Sequence, residues 1–304
     1  MAIVTCHAAE EIARLIPHGR VQKQEPLAAH TSFRIGGPCA VLAVPGTEEE
    51  LAALLSYTME KGLPRFLLGS GTNLLCADRG YDGVVIQTGC LNGVAVEDDL
   101  VAAGAGASLT KTAFAAMNAS LTGLEFAHGI PGSAGGGAVM NAGAYGGELG
   151  QVISDVTCLD GRGNRRTVPA EAAGFAYRTS IFQRSALTVT SIRCRLKPGD
   201  PAEIRACMAD LAERRREKQP LDLPSAGSVF KRPAAGYASA MIDACGLKGR
   251  AVGGACVSEK HAGFIVNRGG ATCADVLALI EIIQQCVKER FGVLLECEIQ
   301  TLGL

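Results

Sequence analysis

Gly69-Ser70-Gly71-Thr72-Asn73, delivered by the apolar run Phe66-Leu67-Leu68, can present several backbone N–H groups and two hydroxyls to one anion, the concave amide nest that holds a phosphate. It is neither a Walker loop, since no Gly-Lys-Ser/Thr follows, nor a G-x-G-x-x-G turn before a long helix. Elsewhere the residue types exclude several reactions. Gly132-Ser133-Ala134-Gly135 misses the G-x-S-x-G nucleophile elbow because Pro131 stands where its first glycine belongs. His7, His18, His30, His128 and His261 lack ligand spacing such as H-E-x-x-H, and the twelve cysteines include no C-x-x-C pair, so no metal is expected. Three reactive groups remain: Arg178 in Tyr177-Arg178-Thr179-Ser180-Ile181-Phe182, Ser228 in Ala226-Gly227-Ser228-Val229-Phe230-Lys231, and Glu298 near the C-terminus. Taken singly, each also reads as a surface arginine, a turn serine or a solvent-facing strand carboxylate.

The largest concentration of glycine is Gly123–Glu148, GLEFAHGIPGSAGGGAVMNAGAYGGE. Glycines gather where backbone turns with positive φ or lies against something that leaves no room for Cβ. Phe126, Ile130, Val139, Met140 and Tyr145 are too apolar for a flexible linker, which leaves tight turns in a β-domain or a ligand cradle.

The surrounding elements follow from pattern. A helix is expected over Ala8–Ile16, extended chain over Val21–Gly37, and a strand over Val41–Val44. Thr47-Glu48-Glu49-Glu50 reads as a capping box opening a helix to Glu60. Short β-type runs fill Gly83–Ala103, and Ser108 caps a helix to Ala119. Strands follow at Val152–Leu159 and Ala186–Leu196. Asp200-Pro201-Ala202-Glu203 starts a helix with the apolar stripe Ile204, Cys207, Met208 and Leu211, and its end carries Arg214-Arg215-Arg216 and Lys218, cations suited to a helix C-terminus. Ser239–Cys245 and a long segment from Thr272, with Asp275 at N3, are further helices. Over 293–300, Val293, Leu295, Cys297 and Ile299 alternate with Leu294, Glu296, Glu298 and Gln300, which predicts a strand with Cys297 on its apolar face.

At 304 residues, 48% hydrophobic and 19% charged with net charge −1, the chain has material for two or three domains and no electrostatic case for nucleic acid. No secretory leader or membrane-length apolar stretch is evident, and the scattered cysteines suit a reduced, cytoplasmic setting.

Taken in order, F-R-I-G-G (Phe33 to Gly37), L-G-S-G-T-N-L-L (Leu68 to Leu75), G-I-P-G-S-x-G (Gly129 to Gly135), N-A-G-A-Y-G (Asn141 to Gly146), Y-R-x-S-I-F, A-G-S-V-F-K and L-E-x-E resemble the UDP-N-acetylenolpyruvoylglucosamine reductases, the flavoenzymes that finish UDP-N-acetylmuramate in bacterial peptidoglycan synthesis. The resemblance runs from about Pro26 to Leu302, and the short interval from Arg178 to Ser228 resembles the family's second type. It implies an α+β protein: an FAD-binding fold of the vanillyl-alcohol oxidase type with a separate α+β substrate-binding domain. The implied segments are 1–80 for a first flavin subdomain, completed by the C-terminal strand 293–304, then 81–199 for a second and 200–292 for substrate.

The same resemblance assigns the site. Gly69, Ser70, Gly71, Thr72 and Asn73, with Ile130, Pro131, Gly132, Ser133, Gly135 and Gly143, would hold FAD. The flavin would be noncovalent at Gly36-Gly37, where Pro38 replaces the histidine of covalent relatives. Tyr177, Arg215, Lys218, Lys231 and His261 would bind UDP-N-acetylglucosamine enolpyruvate, with NADPH as hydride donor. Arg178 and Glu298 would meet the carboxyl end of the substrate, Glu298 protonated to stabilise the enol, and Ser228 would give its proton to C2, helped by Lys231 or Arg215. No membrane or obligate protein partner is implied. The competing readings are an oxidase of the same fold using oxygen, and a catalytically inactive flavin- or nucleotide-binding module.

Overall fold

A computed structural model describes residues 6–304. Unit 1 comprises the chain up to Glu25, Ala40–Ser70 and Asp82–Arg215; unit 2 comprises Pro26–Cys39, Gly71–Tyr81 and Arg216–Leu304. These limits fall elsewhere than the three expected segments. Helix Pro201–Lys218 stays with unit 1 through Arg215 because its buried Ile204 and Met208 complete that unit's core.

Two larger sheets lie in unit 1. Strands Arg20–Pro26, Pro38–Val44, Tyr81–Gln87 and Arg65–Leu68 lie in that order in the first. Its core gathers Ile12 and Ile16 with Val41, Ala43, Leu51, Leu54, Val84 and Ile86. Helices α1 (Cys6–Leu15) and α2 (Glu48–Glu60) supply part of that core. The Thr47 hydroxyl caps α2 by accepting from the Glu50 N–H, but the predicted reciprocal bond of a capping box is not made. The Glu50 carboxylate instead accepts from the N–H groups of His18 and Gly46, stapling the helix to the turn before strand Arg20–Pro26 and to the turn that leads into the helix. Those bonds, against the cost of burial, hold this carboxyl below its ordinary range.

The second sheet is antiparallel, ordered Arg165–Pro169, Ile153–Leu159, Thr188–Arg195, Leu100–Gly104 and Val94–Glu97. Helix α3 (Leu109–Asn118), capped by the Ser108 hydroxyl as the sequence suggested, and the short α4 (Ala134–Met140) contribute to its core. The glycine-rich segment is thus largely structured: a 3-10 turn at Glu125–Ala127, α4, and the paired strands Gly143–Ala144 and Gly147–Glu148.

Unit 2 is built on the sheet Ser225–Ser228, Phe264–Asn267, Ala255–Val257 and Ala251–Val252. Continuing the helix numbering, α5 is Pro201–Lys218, α6 Ala238–Ala244 and α7 Cys273–Phe291. The α7 face Val276, Leu279, Ile280, Ile283 and Val287 packs in one core with Ile242, Val257, Ile265, Leu295 and Ile299. Thr272 starts the helix as expected and forms a capping box with Asp275 at N3, and Gly292 ends it at φ +68°.

Three expectations change. Extended chain over Val21–Gly37 is broken by a 3-10 turn at Leu27–His30. Cys207 is exposed rather than in the apolar stripe of α5, which Ile204, Met208 and Leu211 fill. Over 293–300 the chain is not a strand: only Gln300–Leu302 pairs, in parallel with Leu74–Cys76, and Cys297 makes an isolated bridge to Phe230. Leu295 and Ile299 are buried four residues apart and Cys297 is exposed, so strict alternation overstated a segment held by single contacts.

Candidate active site

The loop Gly69–Asn73 crosses from unit 1 into unit 2 after Ser70. In unit 1, a Cβ at Gly69 would lie 2.6 Å from the Ser133 hydroxyl oxygen, so the loop and the start of α4 touch with no room for a side chain. In unit 2, Gly71 has φ +64° and would drive a Cβ to 2.1 Å from the His30 carbonyl. Both glycines are therefore dictated by the fold. The Asn73 carboxamide donates to the Glu298 carbonyl at 3.1 Å.

Ser133 is buried and N-caps α4, accepting from the Gly136 N–H at 3.3 Å. The three glycines that follow have different reasons. A Cβ at Gly135 would meet Ala105 at 2.7 Å and one at Gly137 would meet Leu149 at 2.8 Å, so helix packing demands both. Gly136 is exposed and would meet only the Ser133 oxygen, at 3.3 Å. Among the described residues nothing but that oxygen bounds it, and an exposed glycine face beside the Gly69 loop leaves room for a flat, anionic dinucleotide. On this ground the residues present fit FAD. The sequence motif did not single out Gly136, because the three glycines look alike until the fold packs two of them.

Arg178 lies at the second central position of a tight turn in which Ala176 and Thr179 exchange both backbone hydrogen bonds at 3.1 Å. Its φ is +55°, where glycine is usual. The strain persists because the turn is tied down. Asn141, fully buried at φ +44°, donates from its side chain to the Ala176 carbonyl and accepts from the Gly150 N–H. The guanidinium donates to the Gly143 carbonyl at 3.1 Å. Gly143 thus meets Arg178 within unit 1. Asn141 was quoted in the sequence only as part of a motif, and its clamp on the arginine turn needed the fold to be seen. Tyr177, beside it, is exposed with its ring 5.3 Å from the Arg178 guanidinium carbon.

Arg215 is the outlier of its basic cluster. It is 4% exposed, whereas Arg214 is exposed and pairs with Asp210. Its side chain donates to the His128 carbonyl at 3.3 Å and lies 5.6 Å from the Tyr145 ring, while its buried Nε has no hydrogen-bond partner. Burial pushes its pKa down. A buried cation with an unused donor is costly unless an anion joins it. His128 Nδ1 is likewise unpartnered, and burial, then the neighbouring Arg215 charge, lowers its pKa.

In unit 2, Ser228 ends a bulged strand opposite Phe264, and Gly227 before it has φ +77°. The next residue, Val229, accepts from the Glu298 N–H at 2.7 Å, and the Lys231 N–H donates to the Glu296 carbonyl. The serine and glutamate segments are thus laced together by backbone. The Lys231 ammonium is engaged by the Glu296 carboxylate at 3.3 Å. Lys218 is exposed at the end of α5. His261 accepts at Nδ1 from the Gly263 N–H and packs edge-on to Phe264, so the neutral ring carries its proton on Nε2; burial lowers its pKa.

Comparison with known proteins places the chain among its relatives. Residues 39–168 match a model of an FAD-binding domain, and 219–302 match the C-terminal domain of UDP-N-acetylenolpyruvoylglucosamine reductase. The chain is 48% identical to the UDP-N-acetylenolpyruvoylglucosamine reductase of Caldanaerobacter subterraneus over 97% of both chains. It is 46% identical to that of Syntrophomonas wolfei over 96% of this chain and 98% of the relative. The crystal structure of the Thermus caldophilus reductase superposes with TM-score 0.81 at 34% identity, covering 93% of this chain and 99% of that one. These relatives favour neither an oxidase nor an inactive module, and the match over residues 39–168 bears out the expected FAD-binding domain. With similarity of this extent across almost its whole length, the chain belongs to the UDP-N-acetylenolpyruvoylglucosamine reductase family.

Proposed function

We propose that Arg178, Ser228 and Glu298 carry this chain's NADPH-dependent reduction of UDP-N-acetylglucosamine enolpyruvate to UDP-N-acetylmuramate. What supports the reading most is the backbone bond from Glu298 to Val229, which sets the acid one residue from the serine in unit 2. When bound, FAD relays hydride from NADPH to the terminal carbon of the enolpyruvyl ether. That addition leaves negative charge on C2, spread into the neighbouring carboxylate. Arg178 offers this carboxylate a permanent cation from a strained, clamped turn, and Glu298, protonated, donates a hydrogen bond that stabilises the enol. Ser228 gives C2 its proton.

For the cofactor, the amides of Gly69–Asn73 and the hydroxyls of Ser70 and Thr72 would hold the pyrophosphate. Ser133 and the open face at Gly136, with Ile130, Pro131, Gly132, Gly135 and Gly143 around them, would border the flavin. Arg215 and Lys218 would bind the substrate's diphosphate by charge-assisted bonds, with Tyr177, Lys231 and His261 as further contacts. We assign flavin binding to 1–80 and 81–199 and substrate binding to 200–292, and place the reaction in the cytoplasm, where its nucleotide substrates are made, without nucleic-acid, membrane or obligate protein partners. Among the described residues, no helix is long and apolar enough to cross a membrane.

Anaerobic stopped-flow kinetics test the proton donor. General-acid steps contribute about 10² to 10⁴ in rate, so Ser228→Ala is expected to slow flavin reoxidation by the enolpyruvyl substrate at least about 10²-fold while flavin reduction by NADPH persists. Equal slowing of both half-reactions would make Ser228 structural.

A further inference from the structure

The proposed acid sits on a stretch with little regular structure. Between the Phe230–Cys297 bridge and the Gln300–Leu74 pairing, residues 298 and 299 belong to no strand. Both peptide groups around the Glu298 Cα are nevertheless held. The N–H donates to the Val229 carbonyl at 2.7 Å, and the C=O accepts from the Asn73 carboxamide at 3.1 Å. Fixing both peptide planes fixes φ and ψ of residue 298, and with them the direction of its Cα–Cβ bond. Gln300 adds a longer bond to the same carbonyl, 3.4 Å, from an exposed side chain. Asn73 is itself anchored, because its own carbonyl accepts from the Gln300 N–H at 3.0 Å and the chain beyond it enters the buried pair Leu74-Leu75.

We infer that Asn73 is a positioning residue for Glu298: its side-chain N–H holds the Glu298 carbonyl and thereby aims the acid, so the last residue of the phosphate nest also sets the geometry of proton chemistry. This rests on the reading of Glu298 as an acid given above. It makes Asn73 act through Glu298 rather than chiefly as a ligand of the cofactor.

The test uses the holoenzyme with Asn73→Ala and Asn73→Ser; serine keeps a hydroxyl on the loop but is too short to reach the Glu298 carbonyl. Misplacement by about 1 Å can cost about 100-fold, so both variants are expected to slow flavin reoxidation by the enolpyruvyl substrate about 10- to 100-fold. Reoxidation is expected to fall at least about fivefold further than FAD affinity or flavin reduction by NADPH. Hydrogen exchange at the Glu298 amide, read by mass spectrometry on the 296–300 region, is expected to quicken. Glu298→Gln is expected to slow reoxidation by itself, and adding Asn73→Ala to it to cost less than about threefold more, as for two residues acting through one group. If FAD affinity and both half-reactions fell together, Asn73 would be a cofactor ligand and the inference wrong. Unchanged reoxidation in the Asn73 variants, with Glu298→Gln slow, would overturn the positioning role alone. An unimpaired Glu298→Gln would remove the reading of the acid and this inference with it.

Discussion

Arg215 and Arg178 show side chains kept at a cost to the fold. Arg215 buries a guanidinium whose Nε finds no acceptor, and replacing such a charge by an apolar chain of similar length relieves desolvation. Arg215→Met is therefore expected to leave the melting temperature unchanged or raised. Loss of charge-assisted bonds worth about 1.5–3 kcal/mol is expected to raise KM for the UDP-sugar about 10- to 100-fold. Calorimetry and steady-state kinetics on one preparation check both halves; a large fall in melting temperature would make Arg215 a structural residue. At Arg178, φ +55° costs a non-glycine residue about 1 kcal/mol or more, so Arg178→Gly is expected to gain stability of that order in urea denaturation while losing turnover. Exposed Lys218 carries no such cost. Lys218→Ala is expected to raise KM for the UDP-sugar and leave flavin reduction by NADPH near normal, and an unchanged KM would return it to a helix-end cation.

Two helix N-termini divide the structural from the functional at the next scale. On α7, the Asp78 carboxylate accepts from the N–H groups of Cys273 and Ala274 at 2.7 and 3.1 Å, beside the Thr272–Asp275 box. Free N–H groups and the helix dipole both favour an anion there, and α7 carries much of the core beneath the Ser228 and Glu298 segments. Asp78→Ala is expected to cost about 1–2 kcal/mol in urea denaturation with no selective loss of either half-reaction. On α4 the contrast lies between neighbours. Gly137→Ala drives a Cβ to 2.8 Å from Leu149 in the core and is expected to destabilise the protein. Gly136→Ala asks only a few tenths of an ångström of the Ser133 hydroxyl and raises helix propensity, so folding is expected to be unharmed within about 1 kcal/mol. Its effect is expected in FAD affinity, measured by flavin titration. Unchanged affinity would remove the open face at Gly136 from the cofactor site.

For the whole molecule, acid is expected to act in two stages. His128 and His261 both have pKa values lowered from 6.5, chiefly by burial, so the unfolded chain takes up protons first. Their contribution is full above about pH 6.5 and is lost as pH falls through the lowered folded values. Carboxyls held below their usual range by hydrogen bonds, such as Glu50, and Asp160 at about 2, extend the loss further into acid. A melting temperature flat between about pH 7 and 8 and falling below that range is the expected profile, and His128→Asn should shrink its first stage, since the Nδ1 it removes has no partner. A wild-type profile flat down to pH 5 would contradict the assignment.

Local chemistry made much of this chain legible in one dimension. Ser108 and Thr272 mark helix starts because a hydroxyl before an apolar period satisfies free N–H groups wherever it occurs. The order of the glycine and Y-R-x-S-I-F motifs sufficed for the family and the flavin, because a nest of amides needs only neighbours in sequence. What the sequence could not show depends on partners far along the chain. Alternation predicted a strand at 293–300, but the bonds that hold Glu298 come from Asn73 and Val229, 225 and 69 residues away, and they leave Cys297 exposed. The triplet Gly135-Gly136-Gly137 looks uniform until Ala105 and Leu149 claim its two outer members. Arg215 reads as one of three surface arginines, and only the packing of α5 within unit 1 buries it beneath His128 and Tyr145, with no ion pair among the described residues. Residue types and short-range hydrogen bonding set the elements and the kind of chemistry; burial and long-range backbone contacts decided which of the like residues are buried, clamped or left open.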